Sequence, residues 1–339
     1  MVVSSREFAN YFRLQGRCYV SDERLFFNAS GGGFSGTFRG KTLTLTVYSD
    51  YEMRWRNAYV SVILDDKPQR VRLPKGEKEI TFCVGEGTHV FEIVKLTESA
   101  NNSFGVRSVF TDGEFLPKNA GKGIKIDFIG DSITTGFGVL AKEMYGEYKT
   151  KEQDFTKAFP YIVSKALDAD YHVVAAGGWP IYKSKYADYA IPDYYENVDL
   201  LRNREKYDFS SFTPDVCVVT LGTNDFSFLA DLPAERLPAE RAEVKKKFIV
   251  FLHRLLSLYP TAHFFLLYGF FDYPDLGVLT KEVAAEIDDP RITTVETECA
   301  ARYGDLHAGH PGMRTHIVAA RRLLTAMDRV IMNKEKPLA

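Results

Sequence analysis

Hydrophobic residues alternate with polar residues along the first third of the chain, from about residue 11 to residue 116. The alternation is clearest where threonines separate Leu43, Leu45 and Val47, because a period of two places such residues on one face of a β-strand. Turn sequences rich in glycine, proline and aspartate separate the apolar runs. Many short strands with regular turns predict an all-β domain over residues 1–120, a jelly-roll sandwich.

The pattern changes after the polar stretch at residues 118–123. Apolar runs then alternate with segments whose apolar residues recur at intervals of three and four, which is typical of strands connected by amphipathic helices. We therefore predict a second domain over residues 121–339, an α/β/α structure with helices on both faces of a parallel sheet. Its five strands are expected at residues 124–129, 171–175, 216–221, 263–268 and 292–295.

Composition and charge exclude several classes of protein. The chain has 43 Lys and Arg against 45 Asp and Glu, a net charge of −2, so it lacks the basic excess that nucleic-acid binding requires. It has no run of about 18 apolar residues, so no membrane span is expected. The four cysteines are not closely paired, and the first ten residues show no basic head before an apolar run. These features predict a reducing, cytoplasmic location, while the oligomeric state is not indicated.

Three loops that follow predicted strands carry hydrogen-bond donors. Ser132 follows the first strand, in the sequence GDSIT. Gly177 and Gly178 follow the second strand, and Asn224 follows the third, in GTND. Ligands of open parallel sheets bind at the carboxyl ends of the strands, so we expect these loops to meet in one site. A serine hydroxyl and nearby amides suit nucleophilic attack with stabilisation of an oxyanion, although Ser132 also fits a simple helix cap.

A histidine cluster before the last predicted helix supplies candidates for a general base. His307 and His310 follow Asp305, and His316 lies on the predicted helix, where it is expected to face core or solvent. Three histidines and an aspartate also suggest zinc, but their spacing matches no zinc motif. Because a serine nucleophile already needs one histidine as its base, we predict no metal and no cofactor.

The order of these motifs resembles the SGNH, or GDSL-type, hydrolase superfamily. The resemblance rests on GDSIT, a glycine loop, GTND and a terminal HP, from about residue 124 to the C-terminus. The N-terminal half, with FRG at residues 38–40 and HVFEIVKLTES at residues 89–99, resembles carbohydrate esterase family 2. This resemblance implies a jelly roll joined to a flavodoxin-like SGNH domain with a five-stranded parallel sheet. It also implies the removal of O-acetyl groups from plant-type polysaccharides such as acetylated mannan, glucomannan or xylan.

The same resemblance implies roles for individual residues. Ser132 matches the nucleophile, and His310 matches the general base. Asn224, the Ser132 amide and a loop glycine, Gly178 rather than Gly177, match the donors to the oxyanion. No metal or cofactor takes part in this chemistry.

One position departs from the superfamily pattern. An aspartate usually lies three residues before the histidine, and His307 occupies that position here. Two arrangements therefore stay open: Asp305 orients His310 in a triad, or a backbone carbonyl holds the ring in a Ser-His dyad, which we favour.

Substrate contacts are predicted from side chains beside the three loops. The aromatic residues Trp179, Tyr182 and Phe226 are candidates to stack on pyranose rings, with core packing as the alternative. Asp131 and Asp225, which neighbour Ser132 and Asn224, are also predicted to contact the substrate. The predicted partner is an acetylated oligosaccharide, with neither nucleic acid nor membrane.

Two other functions stay open at this point. A lipase or thioesterase of the same superfamily would need a long apolar tunnel for the acyl chain, and the jelly roll argues against it. The other alternative is a carbohydrate-binding protein whose SGNH half has lost its activity. The intact set of serine, glycine, asparagine and histidine favours an enzyme.

Overall fold

The computed structural model describes residues 1–118, 123–146 and 148–334. The predicted boundary between residues 120 and 121 falls outside the described residues. An antiparallel all-β region precedes this position, and a parallel sheet with helices follows it. The two predicted fold classes are therefore confirmed, each in its predicted half of the chain.

The β region, residues 1–118, forms one curved antiparallel sheet around an apolar core. Its two longest strands pair with each other, and their register shifts between Gly40 and Thr42, a bulge that bends the sheet. Leu43, Leu45 and Val47 are all nearly fully buried in this core, as their alternation predicted. The elements are β1 (Val2–Ser4), α1 (Phe8–Tyr11), β2 (Arg13–Gln15), β3 (Tyr19–Ser21), β4 (Arg24–Phe26), β5 (Gly33–Ser49), β6 (Tyr59–Leu64), β7 (Lys67–Arg72), β8 (Gly76–Lys95), β9 (Gly105–Thr111) and β10 (Glu114–Phe115).

The second region contains a five-stranded parallel sheet. Its strands are β11 (Lys125–Gly130), β12 (Asp170–Ala175), β13 (Val216–Thr220), β14 (His263–Tyr268) and β15 (Ile292–Glu296). Their spatial order is β12-β11-β13-β14-β15, the flavodoxin-like order 2-1-3-4-5. In this order the chain reverses direction across the sheet between β11 and β13, and the ends of these two strands form the expected ligand crevice.

Helices cover both faces of this sheet, because the strand side chains that point to either face are largely apolar. The helices and hairpin strands of this region are α2 (Ser132–Thr135), α3 (Phe159–Leu167), α4 (Ile191–Tyr194), α5 (Thr223–Leu229), α6 (Leu237–Leu258), α7 (Pro274–Ile287), β16 (Leu306–His307), β17 (His310–Pro311) and α8 (Met313–Lys334). Helices α6 and α7 pack on one face of the sheet, and α3 and α8 pack on the other. The small hairpin of β16 and β17 precedes the last helix.

A buried arginine connects the two regions. Arg17 of the β region donates through Nη1 to the backbone carbonyls of Tyr195 and Asn197 in the second region, the latter at 2.8 Å. Its guanidinium lies 4.3 Å from the ring centroid of Tyr207, and Asp127 on β11 lies 3.9 Å from Nη2. The two regions therefore share a charged, fully enclosed contact.

No helix among the described residues is both long and apolar enough to cross a membrane. The four cysteines, Cys18, Cys83, Cys217 and Cys299, are all free thiols.

Candidate active site

The carboxyl end of β11 presents Ser132. This strand ends at Gly130, and Asp131 caps the short helix α2 by accepting a hydrogen bond from the Ile133 amide at 2.9 Å. Ser132 is the first residue of that helix, so its own amide precedes the helical hydrogen bonds and is available to a ligand. The Ser132 hydroxyl donates to Nε2 of His310 at 2.8 Å. The predicted pair is thus in direct contact, although the two residues lie 178 positions apart.

The backbone of the β16–β17 hairpin holds the His310 ring. Nδ1 lies 3.1 Å from the carbonyl oxygen of Ala308, so an Nδ1–H donates to that carbonyl and leaves Nε2 free to accept from Ser132. The ring of Phe137 lies 4.2 Å away, centroid to centroid, and Phe271 also flanks the imidazole. Burial lowers the pKa of His310 to about 4, since the charged ring would lose its hydration.

Asp305 does not contact His310 in this structure, so the triad arrangement is not formed here. Its Oδ2 accepts hydrogen bonds from the amide and the hydroxyl of Thr315, both at 2.7 Å, at the start of α8. Its Oδ1 lies 3.3 Å from Nε2 of His307. The backbone carbonyl of Ala308 takes the place that an aspartate has in a triad, which is the second of the two arrangements left open above.

The glycine loop forms a tight turn after β12. The amide of Trp179 donates to the carbonyl of Ala176 at 3.2 Å, and Gly178 has a φ of +81°. Type II turns need such a positive φ at their third residue, and glycine adopts it without strain. The Gly177 amide donates to Glu98, whereas the Gly178 amide has no acceptor among the described residues. Gly178 is therefore the loop glycine that can bind an oxyanion.

Asn224 lies at the start of α5 and faces the same cavity as Ser132. Its Nδ2 donates to the carbonyl of Trp179 at 3.1 Å and to Oδ2 of Asp131 at 3.3 Å. These contacts orient the amide group between the glycine turn and the nucleophile helix. The three predicted donors, Ser132, Gly178 and Asn224, all line one cavity.

Asp131 and Asp225 do not contact a substrate, because both carboxylates are fully buried and neither lines the cavity. Asp225 accepts hydrogen bonds from the amides of Ile181, Tyr182 and Lys183, at 2.8 to 3.1 Å. Burial raises the pKa of each carboxyl to about 7. Both aspartates hold the loops in place, and their predicted contact with substrate is corrected accordingly.

The predicted sugar platforms are also corrected. Trp179 is only 4% exposed and packs between Tyr189 and Tyr194. Phe226 is 6% exposed and belongs to the same apolar core, against which the half-buried Tyr182 packs. None of the three predicted aromatic residues lines the cavity that contains Ser132. They adjoin the motifs in sequence, but the loops turn these side chains inward.

Both regions of the chain form the walls of this cavity, which has a volume of about 550 Å³. The β region contributes Arg56, Glu98 and Asn101. The sequence motifs did not indicate these three residues, although Glu98 lies in the HVFEIVKLTES segment that carries the family resemblance. Other lining residues not predicted from the sequence are Phe137, Tyr148, Tyr186, Ser227, Phe271 and Tyr273.

The histidine cluster is not arranged as a metal site. His316 is fully buried, and its Nδ1 accepts from the Phe159 amide at 3.3 Å, so it belongs to the core. His307 donates through Nδ1 to the carbonyl of Ala141 at 2.7 Å. Within residues 1–118, 123–146 and 148–334, no group of three or more histidine, cysteine, aspartate or glutamate side chains could hold a metal ion.

Comparison with known families agrees with this geometry. Residues 128–310, more than half of the chain, match the model of the GDSL-like lipase/acylhydrolase family. The chain belongs to the GDSL-like lipase/acylhydrolase family. Residues 14–119 match the model of the carbohydrate esterase 2 N-terminal region. The resemblance stated from the motifs is therefore confirmed in both halves of the chain.

Relatives of known name or structure extend over nearly the whole chain. An acetylxylan esterase / glucomannan deacetylase of Cellvibrio japonicus is 25% identical over 335 residues, which are 95% of this chain and 89% of the relative. An acetyl xylan esterase of Butyrivibrio proteoclasticus has the same fold, with a TM-score of 0.88 at 20% identity over 98% of each chain. A family two carbohydrate esterase of Clostridium thermocellum, solved with cellohexaose, has a TM-score of 0.85 at 22% identity, covering 94% of this chain and 99% of that one.

Proposed function

We propose that this esterase removes acetyl groups from the hydroxyls of plant-type oligosaccharides through a Ser-His dyad. The observation that carries the proposal is the 2.8 Å hydrogen bond from Ser132 Oγ to His310 Nε2, in a cavity that also contains three oxyanion donors. A nucleophile beside a base that a third group orients is the arrangement that activates serine for acyl transfer.

The first half of the reaction acylates the enzyme. Ser132 attacks the acetyl carbonyl while its proton passes to Nε2 of His310, and the Ala308 carbonyl holds the ring through Nδ1–H. The tetrahedral oxyanion accepts hydrogen bonds from the Ser132 amide, the Gly178 amide and one Nδ2–H of Asn224. That N–H leaves Asp131 Oδ2, while the other Nδ2–H keeps its bond to the Trp179 carbonyl. Collapse of this intermediate breaks the ester bond, and His310 gives the proton to the departing sugar oxygen.

The second half restores the free enzyme. Water enters the position that the sugar hydroxyl has left and gives one proton to His310 as it attacks the acetyl carbon on Ser132. A second tetrahedral intermediate uses the same three donors. Its collapse releases acetic acid, which ionises to acetate in water, and His310 returns the proton to Ser132 Oγ.

The choice of substrate draws support from the relatives and from the cavity walls. The Cellvibrio japonicus relative is named for xylan and glucomannan, and the Clostridium thermocellum structure contains cellohexaose. In this chain the cavity wall contributed by the β region contains Arg56, Glu98 and Asn101, which are polar side chains. Polar walls suit a hydroxylated sugar better than a long acyl chain, for which the superfamily lipases would need an apolar tunnel.

Acetate release from defined acetylated xylo-oligosaccharides and gluco-manno-oligosaccharides tests the proposal. We expect Ser132→Ala to lower kcat by at least about a thousandfold and the free energy of unfolding by less than about 1 kcal/mol. Ser132→Ala activity within about tenfold of the unaltered enzyme would refute the mechanism. A p-nitrophenyl ester series in which octanoate exceeds acetate would refute the acetyl preference. The cytoplasmic location stays a prediction, which fractionation of native cells would check.

A further inference from the structure

Glu98 is a buried carboxylate that the mechanism above does not use. It belongs to the β region and is only 3% exposed, yet it lies on the wall of the catalytic cavity. Its Oε2 accepts a hydrogen bond from the Gly177 amide at 2.6 Å, across 79 positions of sequence. Its Oε1 accepts from Nδ2 of Asn101 at 3.1 Å. Both oxygens therefore act as acceptors, and one of them holds the glycine turn.

That contact bears on the conformation of the oxyanion turn. The Gly178 N–H belongs to the central peptide of the turn from Ala176 to Trp179, and this peptide points in opposite directions in type II and type I turns. Two adjacent glycines offer little steric resistance to such a flip. Asn224 holds the far end of the turn through the Trp179 carbonyl, and Glu98 holds the near end through the Gly177 amide.

A chain of contacts fixes Glu98 from behind. Asn101 also donates to the hydroxyl of Tyr148, which donates in turn to Gln153. Nε2 of Gln153 donates to the carbonyl of Thr135 at 3.0 Å, on the helix that begins with Ser132. The ring of Tyr148 stacks on Phe137 at 3.8 Å, and Phe137 contacts His310. The carboxylate is thus positioned relative to the nucleophile helix as well as the turn.

We propose that Glu98 is a positioning residue for the oxyanion site: it holds the turn so that the Gly178 N–H faces the developing negative charge. The β region then takes part in catalysis through this contact. The inference rests on the proposed acyl-transfer function and adds a residue from outside the hydrolase domain to it.

The test compares Glu98→Ala, Glu98→Gln and a control in the full chain. Glu98→Ala removes the acceptor, whereas Glu98→Gln keeps one oxygen for the Gly177 amide. The control is Glu92→Ala, because Glu92 also belongs to the β region and accepts from Lys165 Nζ at 2.8 Å across the same interface. Glu92 does not line the cavity, so its loss reports on the interface alone.

We expect Glu98→Ala to lower kcat for p-nitrophenyl acetate by about ten- to a hundredfold, somewhat less than the complete loss of an oxyanion donor. KM should change by less than about threefold, because the contact matters only in the transition state. Acetylated oligosaccharides should show the same loss. The kcat of Glu98→Gln should lie within about fivefold of the unaltered enzyme. The kcat of the control, Glu92→Ala, should lie within about threefold of it.

A second measurement separates positioning from folding. A trifluoromethyl ketone that adds to Ser132 forms a tetrahedral oxyanion. Its inhibition constant should therefore rise in Glu98→Ala by the same factor by which kcat/KM falls. If Glu98→Ala does not fold, Glu98→Asp replaces it, since the shorter side chain keeps the charge and withdraws from Gly177. That variant should lose at least about fivefold in kcat.

Several results would overturn the inference. Full kcat in a folded Glu98→Ala or Glu98→Asp variant would do so, and so would a loss confined to KM for oligosaccharides, which would make Glu98 a sugar contact. If the unaltered enzyme hydrolyses p-nitrophenyl acetate but no acetylated sugar, the proposed substrate fails while the Glu98 comparison still stands. If it hydrolyses neither, both proposals are wrong.

Discussion

Replacement of Asp305 by asparagine separates a dyad from a triad, because the two arrangements differ greatly in their dependence on this carboxylate. Asparagine has nearly the same shape and keeps one oxygen that can accept from Thr315. The change therefore removes the charge beside the start of α8 and little else. In this structure His310 is held by the Ala308 carbonyl at 3.1 Å, which no side-chain substitution removes.

The expected magnitudes are far apart. In a serine-protease triad the aspartate-to-asparagine change lowers kcat by about 10⁴, or about 5.5 kcal/mol of transition-state stabilisation. With a backbone acceptor, kcat for Asp305→Asn should fall by less than about tenfold. Stability should still change, because Asp305 accepts two 2.7 Å hydrogen bonds from Thr315. Loss of a charged cap of this kind costs about 1 kcal/mol.

Steady-state kinetics on p-nitrophenyl acetate and urea unfolding on the same preparation measure both quantities. Asp289→Asn is a suitable control, since Asp289 accepts from the Arg291 amide at 2.9 Å. It lies just before the edge strand β15, at the amino ends of the strands, whereas Ser132 lies at the carboxyl end of β11. A fall in kcat beyond about a hundredfold in a folded Asp305→Asn variant, with Asp289→Asn unaffected, would refute the dyad.

Three further predictions concern the pH profile and the corrected residues. Because burial lowers the pKa of His310 to about 4 and the neutral ring is the base, kcat/KM should hold on acidification and fall only well below pH 6.5; an acid limb at 6.5 or above would contradict this. Trp179→Ala should lower the free energy of unfolding by about 3–5 kcal/mol and reduce activity equally on p-nitrophenyl acetate and oligosaccharides; a selective loss on oligosaccharides would restore its role as a sugar platform. Asp225→Asn, measured by urea unfolding at pH 8, should lose about 2 kcal/mol because one amide oxygen replaces a carboxylate that accepts from three backbone amides; unchanged stability would contradict it.

The main elements around the site could be predicted from local patterns. The five parallel strands differ from the predicted ranges by one residue at most at either end, because buried strands are continuous apolar runs bounded by turns. Strand ends in a parallel sheet share one edge, which is why Ser132, Gly178 and Asn224 could be placed in one cavity. Ser132 and His310 meet there although the sequence alone showed only their types and order.

The direction of a side chain in a loop could not be predicted in the same way. Trp179 and Tyr182 adjoin the glycine turn, and an aromatic residue in that position suits either a sugar platform or the core. In the structure these side chains pack in the core, because the three backbone hydrogen bonds of Asp225 draw the loop at residues 181–183 inward. A buried carboxylate beside Asn224 has the same appearance in the sequence as one that contacts substrate.

The contribution of the β region to the catalytic cavity was only weakly indicated by the sequence. Glu98 lies three residues after the end of β8 at Lys95, in the sequence Thr-Glu-Ser at residues 97–99, and all three of these polar residues are buried. Polar residues in such a place need hydrogen-bond partners. The partner of Glu98 is 79 residues away in the other region, and no periodicity in either segment connects them.

The enclosed arginine between the two regions bears on how such a chain can be recombined. Arg17 binds backbone carbonyls at Tyr195 and Asn197, so the fit depends on the path of the main chain there as well as on the Tyr207 ring and the Asp127 carboxylate. A chimera that joins this β region to another hydrolase domain must therefore reproduce that path, or it leaves a guanidinium buried without acceptors, at a cost of several kcal/mol. The loop at Tyr195 and Asn197 lies more than 70 residues beyond the point where the two halves are joined. A chimera that keeps Arg17 must therefore also keep this loop.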